Sequence, residues 1–389
     1  MVRTRPPTRL PLAEFARRKL ADLAERGILR RLATSRRGAH QEVERDGRRL
    51  VAFCDNDYLG LTQDPRVKAA AQAAIAAHGA GAGASRHITG NPPLYEALEA
   101  RLAAFKGHEA AVVFGSGYLA NVGAVPVLAG RGDLVLIDEL AHACLFAGAQ
   151  LGGARVCRFR HNDLADAERL LATRRHRHER ALIVTDGVFS MDGDQAPLAA
   201  LQDLAGRHDA WLYVDDAHGL GVLGAGRGTA AEQGVRLSLG MGTLSKALGS
   251  YGGYVSGPAP VIDLIRSRAR SLIYTTGLPP AATAAALAAL EIIEREPERC
   301  RVPLAHARRF AARLGLAKPE SAIVPLVLGT PQAALAAQRA LEEAGFLVVA
   351  IRPPTVPEGT ARLRLSFTAA HRTEDIDRLA DAVRALGLA

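Results

Sequence analysis

A lysine in a loop of small residues is the position of this sequence with the clearest chemical potential. Lys246 ends the segment Thr243-Leu-Ser-Lys246, and an apolar strand upstream of it ends in Asp215-Asp-Ala-His218. A lysine amine can form a Schiff base with an aldehyde, and a carboxylate can keep a pyridinium nitrogen protonated so that the ring withdraws electrons. Together, these residue types are the ones that pyridoxal phosphate requires. The alternative is a surface lysine in a turn, because a motif of four residues also occurs by chance.

The rarity of lysine favours the chemical interpretation. The chain has 49 basic residues, Lys and Arg together, and the only lysines are Lys19, Lys68, Lys106, Lys246 and Lys318. Arginine stays protonated and cannot condense with an aldehyde, whereas the amine of a lysine can be tuned toward its neutral form. We therefore expect Lys246 to hold the cofactor.

Further candidates follow the ends of predicted strands. Ser116-Gly117-Tyr118 opens a helix whose free N–H groups can hold a phosphate, and Thr243 can donate to the same group. His142 can stack on the cofactor ring and move protons, and Ser190 or His218 can bind its phenolic oxygen. Each segment also has a structural interpretation, namely a strand-to-helix turn, a structural histidine or an acidic turn.

Three arginines in the C-terminal part of the chain are candidates for binding an anion. Arg352 precedes Pro-Pro-Thr355, and Arg362 and Arg364 occupy alternate positions of one predicted strand, so they face the same side. Bidentate capture of a carboxylate is the functional interpretation, and an exposed strand face is the alternative.

Residues 79–91 form a loop dense in glycine. The loop has neither the spacing of a dinucleotide-binding motif nor the ending of a P-loop, so neither ligand is indicated. We expect its backbone to approach a ligand or a partner subunit closely.

The elements that must position these residues alternate between strands and helices. Short apolar strands alternate with Ala- and Leu-rich helices between about residues 56 and 280, which predicts a mostly parallel sheet with helices on both faces. Ligands bind at the carboxyl ends of such strands, and this rule brings residues 138–142, 185–190 and 215–218 to one rim. The expected fold class is α/β.

Three parts of the chain are expected. Residues 1–50 would form an N-terminal arm with a helix over 12–33, residues 51–285 a large cofactor-binding domain, and residues 286–389 a smaller α/β domain with a strand over 346–351.

Composition argues against several classes of protein. The net charge is +9 and the pI is about 9.8, but the arginines are scattered among acidic residues, so no nucleic-acid partner is expected, and the positive field can attract an anionic substrate. The four cysteines have no metal or disulfide spacing, which indicates a reduced compartment and no metal site. The first residues lack an apolar signal segment, and residues 281–293 are too short to span a bilayer. We therefore expect a cytoplasmic protein that is not bound to a membrane.

These segments together resemble the α-oxoamine synthases, pyridoxal-phosphate enzymes with the fold-type I aminotransferase architecture. The resemblance extends nearly from end to end, and its motifs lie at residues 56–60, 81–91, 186–193, 215–218, 243–246 and 273–276 with Pro279. Within the family, residues 351–357 and 359–364 are similar to the branch that acts in biotin biosynthesis. That branch condenses L-alanine with a pimeloyl thioester.

The resemblance implies roles around the cofactor. Lys246 would bind pyridoxal phosphate and transfer protons, Asp215 would pair with the pyridinium nitrogen, and His142 would stack on the ring. The remaining cofactor contacts would come from Ser190 and His218 at the phenolic oxygen and from Gly117, Tyr118 and Thr243 at the phosphate. Thr276 would reach the phosphate from the neighbouring subunit of a homodimer.

The resemblance also implies substrate contacts. Arg364 would bind the amino-acid carboxylate, and Arg352, with Arg30 as the second candidate, would bind the carboxylate at the far end of the pimeloyl chain. The other substrate contacts would come from Asn56, His142 and Thr355, and Arg31 is the alternative to Arg30. Sibling branches condense glycine or serine with acetyl-, succinyl- or long-chain acyl-CoA and stay open as alternatives. A plain aminotransferase would have no use for the Arg352 loop, and a DNA-binding regulator would need a further domain.

Overall fold

The computed structural model describes residues 10–30 and 32–389. The prediction for the first residues of the chain, and Arg31 as the alternative to Arg30, lie outside the described residues. Within them, no helix is long and apolar enough to cross a membrane.

The N-terminal arm contains one helix and a small antiparallel sheet. Helix α1 (Leu12–Glu25) is followed by β1 (Arg36–Arg37), β2 (Glu42–Arg45) and β3 (Arg48–Ala52). The helix is shorter than the predicted span of 12–33, because Gly27 takes a φ of 65° directly after the C-cap residue Arg26. Residues past the helix turn back toward the rest of the molecule.

A seven-stranded sheet forms the centre of the molecule. Its strands are β4 (Ala110–Phe114), β5 (Leu134–Asp138), β6 (Arg155–Phe159), β7 (Ala181–Asp186), β8 (Trp211–Asp215), β9 (Gly240–Thr243) and β10 (Gly253–Gly257). Their order is β4-β10-β9-β8-β7-β5-β6, and β10 runs antiparallel to both of its neighbours while β9, β8, β7, β5 and β6 pair in parallel. The sheet is thus mostly parallel, as the apolar strand pattern predicts.

Helices cover both faces of this sheet. In chain order they are α2 (Pro65–His78), α3 (Pro93–Lys106), α4 (Gly117–Leu128), α5 (Ala143–Gly152), α6 (Leu164–Arg174), α7 (Leu198–Arg207), α8 (Thr229–Glu232), α9 (Ala259–Arg268), α10 (Arg270–Ile273) and α11 (Pro280–Arg295). Leu134 and Leu136 of β5 pack with α6 and α7, whereas Val135 and Ile137 of the same strand pack with α4 and α5. Alternate side chains of one strand therefore enter two different cores.

The C-terminal part contains the antiparallel strands β11 (Ile323–Gly329), β13 (Val349–Ile351) and β14 (Ala361–Ser366). Helices α12 (Val302–Leu314), α13 (Pro331–Glu343) and α14 (Thr373–Ala385) accompany them, and α11 crosses the boundary placed after residue 285. The predicted strand over 346–351 is divided into two strands. Its first part, β12 (Phe346–Leu347), pairs with β3 of the arm, while β13 pairs with β14, because the chain changes partner at Val348.

Candidate active site

A cavity of about 880 Å³ opens at the carboxyl ends of the parallel strands, between the central sheet, the arm and the C-terminal sheet. Eight of the residues singled out from the sequence line it: Arg30, Asn56, His142, Ser190, His218, Lys246, Thr355 and Arg364. His142, Ser190, His218 and Lys246 follow β5, β7, β8 and β9, whose shared direction brings them to one edge of the sheet. Arg30 and Asn56 come from the N-terminal part of the chain, and Thr355 and Arg364 come from the C-terminal part.

Lys246 extends into this cavity from the turn that joins β9 to β10. Leu244 and Leu248 are buried on either side of it, and the turn is closed by Gly249 N–H donating to the carbonyl of Lys246 over 2.9 Å. Burial lowers the pKa of Lys246 to about 8, against the opposing effect of the Asp215 carboxylate. The amine therefore loses its proton at a lower pH than an ordinary lysine, which makes it more available as a nucleophile.

His218 connects this amine to the loop after β3. Its Nε2 lies 2.9 Å from Nζ of Lys246, and its Nδ1 lies 2.6 Å from the hydroxyl of Tyr58. Burial lowers the pKa of His218 well below its ordinary value. The ring is therefore neutral, so one of its nitrogens donates and the other accepts.

Asp215 lies at the end of β8 and is held by two donors. Its Oδ2 accepts a hydrogen bond from Nδ2 of Asn121 over 2.7 Å, and its Oδ1 accepts one from Ala217 N–H over 3.0 Å. The hydroxyl of Tyr213 donates to Oδ1 of Asn121 over 2.9 Å and so orients the amide. A buried carboxylate supported in this way stays available to a cationic partner.

The neighbouring carboxylate, Asp216, has different partners. It accepts from Nζ of Lys106 over 3.1 Å and from the Thr229 hydroxyl over 2.7 Å. Adjacent residues at the end of a strand point to opposite sides, so Asp216 forms a separate buried ion pair away from Lys246.

His142 is the N-cap residue of α5 at the edge of the cavity. Its backbone N–H donates to Oδ2 of Asp186 over 2.9 Å, and its Nδ1 accepts from Cys144 N–H over 3.3 Å. Desolvation lowers the pKa of His142, with the Asp215 carboxylate acting in the opposite direction. The side chain itself remains open to the cavity.

The first turn of α4 offers anion-binding groups. Ser116 caps the helix by accepting from Leu119 N–H over 3.1 Å, and the N–H groups of Gly117 and Tyr118 have no acceptor within the helix. A Cβ on Gly117 would lie 3.6 Å from Oγ1 of Thr243, so this turn and the end of β9 are close together. Helix dipole and free donors suit a phosphate.

Thr276 does not line the cavity of its own chain. It is exposed and forms an isolated bridge with Ser85 in the glycine-dense loop, next to a hydrogen bond from Gly277 N–H to Ala84. Arg86 anchors the same loop by an ion pair with Glu99.

Of the four C-terminal candidates, Thr355 and Arg364 line the cavity, whereas Arg352 and Arg362 do not. Nε of Arg364 donates to the carbonyl of Ser190, its Nη2 donates to Oδ1 of Asn56 over 3.1 Å, and Thr355 accepts from Arg30 over 3.4 Å. Arg362, although two positions from Arg364, pairs with the Asp192 carboxylate, and Arg352 donates to the backbone carbonyl of Gly27 in the arm.

Sequence reasoning did not assign roles to four residues that contact the candidates. They are Tyr58, Asn121, Cys144 and Asp186, all with little exposed surface. Asn121 had a usable signal, since it is a polar residue in an otherwise apolar helix. Tyr58 and Asp186 had none, because their partners His218 and His142 are distant in sequence.

These residues fit pyridoxal phosphate. A nucleophilic amine, a buried carboxylate and a helix N-terminus are the three groups that its aldehyde, ring nitrogen and phosphate require. Lys246 lines the cavity, the Asp215 carboxylate is close enough to act on the pKa of Lys246, and the first turn of α4 lies next to Thr243, three residues before that lysine.

Comparison with known proteins agrees with this geometry. The family model for class I and II aminotransferases matches residues 48–383. Proteins named 8-amino-7-oxononanoate synthase from Methylobacterium sp. strain 4-46 and from Beijerinckia indica are 59% and 58% identical, and the alignments cover 99% and 96% of this chain and 99% and 98% of those proteins.

Two solved structures are similar to this chain over most of its length. Serine palmitoyltransferase from S. paucimobilis, with a bound PLP–myriocin adduct, superposes with a TM-score of 0.90 at 31% identity and covers 98% of this chain and 100% of its own. An 8-amino-7-oxononanoate synthase from Francisella tularensis superposes with a TM-score of 0.72 at 25% identity, covering 87% and 99%.

The chain therefore belongs to the class I and II aminotransferase family of pyridoxal-phosphate-dependent enzymes. Within this family it groups with the 8-amino-7-oxononanoate synthases, the acyltransferases of biotin biosynthesis.

Proposed function

We propose that the protein condenses L-alanine with a pimeloyl thioester and releases 8-amino-7-oxononanoate, CO₂ and the free thiol. The observation that carries the proposal is one cavity lined by the Lys246 amine, the Arg364 guanidinium and, from the arm, the Arg30 guanidinium. Two cationic groups besides the amine suit an amino acid and an acyl chain that each carry a carboxylate.

Pyridoxal phosphate, when bound, supplies a ring that withdraws electrons from the carbon next to the amino group. We assign the transfer of the alanine α-proton to Lys246, whose amine has a pKa of about 8 and can therefore accept a proton near neutral pH. His218, 2.9 Å from this amine, orients it.

Arg364 would hold the carboxylate of alanine. Its Nε and Nη2 are fixed by the Ser190 carbonyl and Asn56, so the plane of the guanidinium is set while further N–H donors stay directed to the cavity it lines. A carbon–carbon bond forms between alanine Cα and the thioester carbonyl carbon as the carbon–sulfur bond breaks. The carboxylate then leaves as CO₂, and a proton replaces it on the same carbon.

The acyl chain ends in a second carboxylate, and burying it without a partner would be costly. We favour Arg30 over Arg352 as that partner, because Arg30 lines the cavity beside Thr355 whereas Arg352 is engaged with the Gly27 carbonyl. Arg352 would then act by holding the arm segment that carries Arg30.

We further propose a homodimer in which Thr276 contributes to the neighbouring site. Its exposure, and its pairing with the glycine-dense loop through Ser85, support the proposal. A cytoplasmic location and the absence of a nucleic-acid partner stay predictions.

The second candidate is a sibling reaction with glycine or serine and another acyl-CoA, favoured by the high superposition on serine palmitoyltransferase. The test is a competition assay of the holoenzyme with alanine, glycine and serine against pimeloyl, acetyl, succinyl and palmitoyl thioesters, with products identified by mass. We expect 8-amino-7-oxononanoate to dominate. Preference for another donor pair would reject the substrate assignment.

A further inference from the structure

The buried thiol of Cys144 contacts the imidazole ring of His142. Sγ of Cys144 is 2.8 Å from Nδ1 of His142 and 3.0 Å from Nδ2 of Asn121, and only 1% of the residue is exposed. The proposed reaction makes no use of this thiol.

The direction of each hydrogen bond around Cys144 follows from its neighbours. The Asp215 carboxylate can only accept, so Asn121 must direct Nδ2 toward it and Oδ1 toward the Tyr213 hydroxyl. The second hydrogen of the same Nδ2 then points to Sγ of Cys144. The sulfur accepts from Asn121, which leaves its own proton for His142.

Two donors therefore converge on Nδ1 of His142, the thiol S–H and the backbone N–H of Cys144, which lies 3.3 Å away. A ring nitrogen that accepts has no proton of its own, so a neutral ring must have its proton on Nε2. The electrostatics agree, because burial raises the pKa of the Cys144 thiol, and desolvation lowers the pKa of His142.

We propose that Cys144 is a positioning residue that keeps His142 neutral, with its proton on Nε2, and fixes the plane of its ring. A continuous path of hydrogen bonds then joins His142 to Asp215 through Cys144 and Asn121. The relevance to catalysis rests on the proposed function and on the cofactor contacts that the family resemblance implies for His142 and Asp215. The tautomer itself does not depend on it.

The test compares Cys144→Ser, which keeps a donor, with Cys144→Ala, which removes it. Full-length protein labelled with ¹⁵N-histidine is examined at neutral pH by long-range ¹H–¹⁵N correlation, with and without pyridoxal phosphate, and the His142 signals are assigned from their absence in His142→Gln. Folding of each variant is checked by its unfolding transition.

We expect a protonated Nε2 and an unprotonated Nδ1 for His142 in the wild-type protein and in Cys144→Ser. In Cys144→Ala only the longer backbone N–H contact to Nδ1 remains, so we expect a smaller share of this tautomer and shifted ¹⁵N signals. A wild-type protein with the proton on Nδ1 would overturn the proposal, and so would a Cys144→Ala variant with unchanged ¹⁵N shifts. Because the cofactor-free protein gives this readout, a different substrate preference would leave the result standing.

Discussion

Nε2 of His218 lies 2.9 Å from Nζ of Lys246, and this contact links the reactive amine to a buried network. The far nitrogen of the same ring is held by Tyr58, whose hydroxyl also receives a long contact of 3.4 Å from Arg364. The amine and the guanidinium proposed to hold the substrate carboxylate are thus joined through two side chains. Displacing one of them is expected to disturb the other.

Lys246 is predicted to be the residue that binds the cofactor. Borohydride reduction of the yellow holoenzyme should remove the visible band and leave the label on Lys246, because burial lowers its pKa to about 8. Lys106 is the matched internal control, since its side chain is only 10% exposed but forms an ion pair with Asp216. Peptide mass mapping that finds the label on Lys19, Lys68, Lys106 or Lys318 would contradict the prediction.

Asp215→Asn is predicted to retain the cofactor but to slow exchange of the alanine α-proton. Breaking a buried ion pair typically costs ~3–5 kcal/mol, which corresponds to roughly two to four powers of ten in rate. The control is Asp216→Asn, which should lower stability through the loss of its contact with Lys106. Exchange is followed by NMR in D₂O, and equal effects of the two substitutions would refute the assignment.

His161 is predicted to lower the free energy of unfolding at alkaline pH, where it loses its charge. Burial opposes its charged form, but hydrogen bonds to Asp138 and Asp194 raise the pKa of His161 to about 10. Since the folded pKa exceeds the unfolded value of about 6.5, the stabilisation is complete below that value and is lost as the pH rises through about 10.

The measurement is urea unfolding of the wild type and of His161→Gln across this range. The difference in unfolding free energy should be a few kcal/mol at the acidic end and should shrink toward the alkaline end. A difference that does not change with pH would mean that His161 is not charged in the folded protein.

Arg30→Ala is predicted to weaken selection for a thioester with a terminal carboxylate. Losing a charge-assisted hydrogen bond costs roughly 1.5–3 kcal/mol, or about one to two powers of ten in kcat/KM. Hexanoyl thioester, which lacks this carboxylate, should be affected little.

Arg352→Ala is the comparison. If Arg352 acts through the Gly27 carbonyl, its loss should reduce turnover of both thioesters, while α-proton exchange of alanine is largely retained. Selective loss of pimeloyl turnover in Arg352→Ala, with Arg30→Ala unchanged, would reverse the assignment.

The homodimer predicts complementation between two defective variants. Lys246→Ala and Thr276→Ala should each be impaired alone, whereas a mixture refolded together forms hybrids in which one site has both residues intact. Activity above that of either variant is the expected result. A fully active monomer in light scattering would exclude shared sites.

The sequence by itself determined the fold class and the kind of chemistry, because both depend on local pattern. Runs such as 134–137 are apolar at every position, which only a strand covered on both faces requires, and the five lysines leave few amines for a Schiff base. Alternation of such strands with helices predicts the parallel sheet. The direction of its strands in turn predicts one rim that carries His142, Ser190 and His218.

Tertiary structure decided which side chains meet. Arg362 and Arg364 are equivalent by periodicity, yet Arg362 pairs with Asp192 while Arg364 lines the cavity. The different contacts of Arg30 and Arg352, the partner change at Val348, and the contact of Tyr58 with His218 had no local signal either. Each depends on residues brought together by packing from distant parts of the chain, and local periodicity contains no information about such partners.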